Sequence, residues 1–330
     1  MAEWLYEAGI GEVRAALIEG ETLLEMAIEP DDSAPRAGAI LPARVTRQAD
    51  ATGRGRVTLE GGGEAEIVRI DAGTTEGSRL LVEVVREILP EGSASKPLRV
   101  RPAPADAVPR PGPDLLARLA ASGFPCRPAG GGELQRHGWI EALEEAANGL
   151  VARPEALLRI SLTPAMTLID VDGAGPAATL ASDGARLAGA VIRRFGLGGS
   201  IGIDLPTLGS KADRQAAAAA LDAALPPPFE RTAVNGFGFL QLVRRRVRPS
   251  LMEHLAADPA GAAARALLAM GERAGGSGAL TLAASSTVIG RLAARPDWQA
   301  VLARRIGAPV RLKAEPARAI SAGHAQREYP

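Results

Sequence analysis

Two aspartates stand one residue apart at the end of "LTPAMTLIDVDG", Leu162 to Gly173. A strand alternates its side chains, so Asp170 and Asp172 share a face and their carboxylates repel. One explanation is an acidic turn, because Asp favours turns and Gly173 follows. The other is a divalent cation, since a hard metal takes oxygen ligands and neutralises paired carboxylates. A third acid, Asp204, closes a second strand-like run, "GSIGID". In an open α/β sheet functional groups gather at the carboxyl ends of strands. If these strands are neighbours, Asp170, Asp172 and Asp204 form a candidate magnesium site, completed by water.

A second group is cationic. In "LVRRRVRPSL" Arg244, Arg246 and Arg248 alternate, so a strand would carry three guanidinium groups on one face, suited to a phosphate backbone. The competing reading is a charged, solvated sheet edge. Arg44, Arg47, Arg54, Arg56 and Lys96 could line a groove for single strands, or serve solubility alone. The glycines of "FGLGGSIGID" fail as a dinucleotide fingerprint. A helix precedes them and a strand follows, the reverse of the order that brings phosphate to a helix N-terminus. His137, His254 and His324 lack ligand spacing, and the lone Cys126 excludes a disulfide framework and a cysteine-rich zinc site.

The elements that must position these groups follow from periodicity. The 330 residues are 46% hydrophobic, with 38 basic and 38 acidic side chains, so any nucleic-acid binding must come from local patches. No run approaches a membrane span and the N-terminus has acids among its apolar residues, so the expectation is a cytoplasmic protein with no membrane span. An N-terminal hairpin segment is expected over 1–35, its strands meeting at "EGE", with the polar break "PDDSAPRAGA" behind it. Short strand-like runs over 36–102 indicate a small barrel, and the OB-fold is the commonest of that size. "RPAPADAVPRPGPD" begins a semi-rigid linker, placed over 103–128. Alternating helices and strands over 129–255 form an α/β layer. The remainder, 256–330, is a small strand-helix-strand unit ending in a loose tail.

Assembled in order, these segments resemble the ribonuclease E/G family of bacterial endoribonucleases. "TPAMTLIDVDG" resembles the family's T-x-A-L-T-x-I-D-V-N, "LGGSIGIDLPTL" its L-G-G-x-I-x-I-D-F, and "FGFLQLVRRRVRPSL" its F-G-L-x-E-M-(T/S)-R-x-R-x-R-x-S-L. The implied fold class is α/β in a multidomain α+β arrangement. An OB-type RNA-binding barrel comes first, then a DNase-I-like α/β catalytic subdomain and a small C-terminal α/β unit. The implied activity is magnesium-dependent hydrolysis of single-stranded RNA, with manganese as a substitute metal, leaving 5′-phosphate and 3′-hydroxyl ends in RNA processing or decay. Asp170 and Asp204 match the family's metal-binding, catalytic aspartates, and Asp172 its nearby asparagine. Arg244, Arg246 and Arg248, with Arg44, Arg47 and Lys96 of the barrel, are the expected RNA contacts.

The departures narrow that picture. Asp172 adds a charge, "LPTL" follows Asp204 where the family has another acid, and Gln241 replaces a usual Glu. The gap between barrel and first motif is too short for a 5′-end sensor, so indifference to the 5′ end is expected. No C-x-x-C follows "RPSL", so no structural zinc is expected and an oligomer would need another link. Val57 and Ile67 stand near positions where the family stacks bases on aromatics. The rival expectation is a non-catalytic RNA-binding or assembly factor that kept the fold. A metal-dependent DNA nuclease is the third, because architecture does not choose the sugar.

Overall fold

The computed structural model describes residues 1–31, 35–71, 73–92 and 94–329. Residues 32–34 of the expected polar break and the last residue of the expected tail lie outside the described residues. Strands β1 (Glu3–Ala8), β2 (Glu12–Glu19) and β3 (Thr22–Pro30) open the chain, and β2 and β3 form the expected hairpin. Gly20, at a φ of +59°, makes the turn that a side chain would strain. β1 adds a strand that the hairpin reading did not include, pairing antiparallel with β2.

The barrel has five strands: β4 (Ile40–Arg47), β5 (Arg54–Leu59), β6 (Glu64–Val68) and β7 (Arg79–Arg86), closed after an excursion by β10 (Leu98–Pro102). β10 runs parallel to β6 and antiparallel to β7. The excursion is a short hairpin, β8 (Leu89–Glu91) and β9 (Ala94–Lys96). Period-two alternation sends Val45, Val57, Ile67, Val82, Val84 and Val100 inward, where aliphatic side chains fill the interior. Val57 and Ile67 are fully buried, so they are core residues and offer no surface to a base.

The following segment is more ordered than a linker. Residues 103–114 carry no helix or strand, but α1 (Leu115–Ala120) starts at Asp114, whose side chain accepts a hydrogen bond from the Ala117 amide. Leu115 and Leu119, one turn apart, bury with Trp4 and Leu17. β11 (Cys126–Pro128) then pairs parallel with β1. Proline content read as a spacer is thus held at both ends by packing.

Helices α2 (Glu133–Arg136) and α3 (Trp139–Asn148) lead into the central sheet. Its elements in chain order are β12 (Leu150–Ala152), β13 (Leu157–Leu162), β14 (Thr167–Asp172), α4 (Ala177–Arg194), β15 (Gly199–Asp204), α5 (Lys211–Ala224), β16 (Glu230–Arg231) and β17 (Phe239–Arg244). The spatial order is β12-β13-β14-β15-β17-β16. β14 and β15 are parallel because α4 crosses between them; the other pairs are antiparallel. One face buries Ile160, Ile169, Val171, Ile201, Ile203 and Leu240 in the same core as Ala181, Ala188, Val191 and Ile192 of α4 and Leu221 of α5. The glycine run is the turn between α4 and β15, with Gly196 at a φ of +63°.

The C-terminal region contains α6 (Leu251–Ala257), α7 (Pro259–Glu272), β18 (Ser277–Ala284), α8 (Ser286–Ala293), α9 (Pro296–Ile306), β19 (Val310–Ala314) and β20 (His324–Tyr329). The one helix expected between its strands is two, since Pro296 begins a new helix and cannot continue the old one. The expected loose tail is β20, paired antiparallel with β18. Among the described residues no helix is long and apolar enough to cross a membrane.

Candidate functional site

The crossover through α4 decides the geometry. It brings the carboxyl ends of β14 and β15 to the same edge, with Asp170 and Asp204 as direct register partners. On β14 exposure alternates residue by residue, so Leu168, Asp170 and Asp172 stand on the face that the helices leave uncovered. α4 approaches the other face closely: a Cβ at Gly184 would collide with Cγ1 of Val171, the residue between the two aspartates.

The third acid behaves differently. Arg159 on β13 is the register partner of Asp170, but its guanidinium pairs with Asp172 and lies 3.7 Å from an Asp170 oxygen. Asp170, Asp172 and Arg159 are each about half exposed, so this is a solvated cross-strand pair. Among the described residues no group of three or more His, Cys, Asp or Glu side chains is placed to hold a metal ion. What the sheet offers is a register pair, Asp170 and Asp204, with Asp172 balanced by an arginine. That donor set fits magnesium, which commonly takes one or two protein carboxylates and leaves its other positions to water and substrate phosphate. Gln241 faces the same side and donates through Nε2 to Ser200 Oγ at 2.9 Å.

The expected arginine stripe is not a strand face. β17 ends at Arg244, and the two later arginines leave the sheet. Arg244 turns to the helix side, where its Nη1 donates to Leu197 O at 3.2 Å and to Ile192 O at 3.5 Å. It serves the carbonyls at the end of α4, and burial pulls its pKa below the usual value. Arg246 pairs with Glu253 and donates to Pro90 O, tying the β8–β9 hairpin to α6. Glu253 meanwhile closes a capping box with Ser250. Arg248 lies 3.6 Å from Glu87 at the root of that hairpin. Spacing in the sequence could not show that each arginine has an internal use.

On the barrel, Arg44 donates to Gly77 O, Arg47 is exposed, and Lys96 pairs with Glu91 at 2.7 Å. Arg56 pairs with Glu64, and Arg99 with Glu66. Acids thus interleave with most of its cations. A cavity of about 460 Å³ separates the hairpin and barrel from the amino-terminal ends of β14 and β15, with Arg86, Lys96, Arg99 and Arg246 in its wall beside Glu91 and Glu253. Another, of about 550 Å³, is apolar and lies between the N-terminal sheet, α3 and α7. No residue of the sheet's open face lines it, and its floor holds the buried pair Glu12 and Arg265.

One feature near the carboxyl end of β15 carried no signal in the spacing of charges. Phe237, in the turn before β17, is 82% exposed beside the end of β15. Neither a protein-family model nor any curated protein matches the chain.

Proposed function

We propose that the chain is a magnesium-dependent endoribonuclease of the E/G type, with an OB-type barrel and a DNase-I-like catalytic sheet, acting on single-stranded RNA. The observation that carries this reading is the register pairing of Asp170 with Asp204 on parallel strands at an uncovered carboxyl-terminal edge. These two side chains would hold the cation. When bound, it would supply charge neutralisation at the phosphodiester and a water acidic enough to attack it. Arg159, set beside Asp170, can exchange its aspartate partners for a phosphate oxygen of the substrate. His254, half-buried on α6, lines the apolar cavity and not the open face of the sheet. The expected products carry 5′-phosphate and 3′-hydroxyl ends, and a 5′-monophosphate gives no advantage.

A second reading, a non-catalytic RNA-binding factor, is favoured by one observation. Arg159 pairs with Asp172, which would otherwise be the third carboxylate of a metal site. One experiment separates the two: cleavage of a labelled A/U-rich single-stranded RNA in magnesium, in EDTA, and by Asp170→Asn and Asp204→Asn. Loss of cutting by about 100-fold or more in each arm but the first supports the nuclease. Binding without cutting by wild type, across several sequences and metals, would move the protein to the second reading.

A further inference from the structure

We propose that Phe237 is a nucleobase-stacking residue that seats one base of single-stranded RNA beside the phosphate held at Asp170 and Asp204; this rests on the RNA-cleaving reading of that edge. A single exposed apolar side chain is ordinary on a protein surface. Three observations make this one different.

The first is that its backbone is fixed while its ring is free. Asn235 Oδ1 accepts from the Phe237 amide at 2.9 Å and from the Phe239 amide at 3.0 Å. Gly238 N donates back to Asn235 O at 3.2 Å, and Leu205 N donates to Gly238 O at the same distance. Gly238 has a φ of +92°, and a Cβ there would collide with Leu205 O. Thr207 Oγ1 donates to Phe237 O at 3.4 Å. The turn is therefore locked to the chain that leaves β15, yet the aromatic side chain is 82% exposed. A rigid aromatic loses little freedom on contact, which favours it as an anchor.

The second is position. The register partner of Asp204 is Phe239, two residues on from Phe237. Even a fully extended chain spans at most about 7 Å in two residues, so the Phe237 backbone lies within about a nucleotide's reach of Asp204. The third is the surface on the other side of the acid pair, where Leu168, Gly202 and Gln241 form the next register row and Ser200 and Val243 the one beyond. Gly202 lacks a side chain where a Cβ would meet the Phe239 ring and Leu168, so that ring lies across β15. Leu168 and Val243 on the same face are 38% and 52% exposed. An apolar strip flanking two carboxylates suits a polymer that alternates flat bases with phosphates. Val57 and Ile67 are sealed inside the barrel and offer no stacking surface there.

The test uses single-stranded RNA carrying 2-aminopurine, with wild type, Phe237→Leu and Phe237→Trp in EDTA for binding and in magnesium for cutting. Stacking on Phe237 quenches the fluorophore. Phe237→Leu keeps the apolar bulk but loses the π face, so it should abolish the quench and bind roughly tenfold more weakly. Phe237→Trp should retain both. Equal affinity and quench in wild type and Phe237→Leu, or no quench in wild type, would overturn the proposal. The two ideas fail separately. Asp204-dependent cutting with no effect of Phe237→Leu keeps the nuclease and removes the stacking residue. A Phe237-dependent quench without cutting by wild type does the reverse.

Discussion

Arg159 is ion-paired with Asp172 and stands in register opposite Asp170, so one guanidinium serves both aspartates of β14 while Asp204, on β15, faces Asp170 from the other side. The repulsion set up by two aspartates on one strand face is thus balanced within the chain. A cation that binds Asp170 and Asp204 competes with that arginine. Replacing Arg159 with Gln removes a positive charge next to Asp170 and releases Asp172. The expected result is tighter binding of Mn²⁺, used as the probe, by several-fold. Stability should change by less than about 1 kcal/mol, because the pair is half exposed. Titration calorimetry and urea unfolding measure the two quantities. Weaker Mn²⁺ binding in Arg159→Gln would mean that the arginine positions the acids instead of competing with the metal.

The second prediction concerns the floor beneath those acids. Gly184 lets α4 lie against Val171, whose neighbours in sequence are Asp170 and Asp172. Gly184→Ala forces the helix and strand apart and should cost about 1–3 kcal/mol, the usual range for overpacking. RNA cleavage should fall as β14 shifts relative to β15. Val171→Ala in the same chain makes room for the new methyl, so the double variant should regain part of both losses. Urea unfolding and cleavage rates on all three variants test this, and a double variant no better than Gly184→Ala would show that the contact is not the cause.

Much of this architecture was legible because local signals agreed with it. α5 begins at Ser210, which accepts from the Asp213 amide, and the glycine turn after α4 announced a strand ahead of Asp204. The barrel showed in its alternating valines. Elements whose only reason to exist is a distant partner were not legible. Cys126, Arg127 and Pro128 are all exposed and form a strand solely against β1, while "HAQREY" is polar and is held by β18. The same holds for the site. Alternation placed Arg244, Arg246 and Arg248 on one face, but Glu253, Glu87 and the carbonyls of Pro90 and Leu197 draw them elsewhere. Phe237 opens the third motif, but its exposure was not legible because it depends on a turn made by Asn235 and Gly238.

The third prediction is a pH effect far from the acids. His254 lies on α6 with Arg265, Glu29 and Arg118 around it, and burial, reinforced by Arg265, pushes its pKa down to about 4 from 6.5. Between those values the unfolded chain holds a proton that the folded one excludes. Stability from this residue is therefore complete above pH 6.5 and is lost as pH falls toward 4, by up to about 3 kcal/mol. The carboxyl of Glu12 is shifted up by burial, which acts with the opposite sign in acid. His254→Gln leaves Glu12 in place, so the difference between the two proteins isolates the histidine. Urea midpoints from pH 7 to 4.5 should drop more steeply for wild type than for His254→Gln. Parallel curves would show that His254 is protonated in the folded state as easily as in the unfolded one.

The fourth prediction separates structural arginines from RNA-binding ones. Arg246 and Glu253 are mostly buried, and the pair joins the β8–β9 hairpin to α6, so Arg246→Ala leaves an acid without its partner. That should destabilise the fold by about 2 kcal/mol. Arg244→Ala strips a donor from the end of α4 and should cost about 1–2 kcal/mol. Both guanidiniums are engaged within the chain, so at temperatures where the variants stay folded the slope of log K against log salt for single-stranded RNA should match wild type. Arg47, exposed on the barrel, is the contrasting case. If it meets the backbone, Arg47→Ala should flatten that slope by roughly one and leave stability unchanged. A flattened slope in Arg246→Ala at full stability would return that residue to the RNA surface, and would mean that its bond to Glu253 opens when RNA arrives.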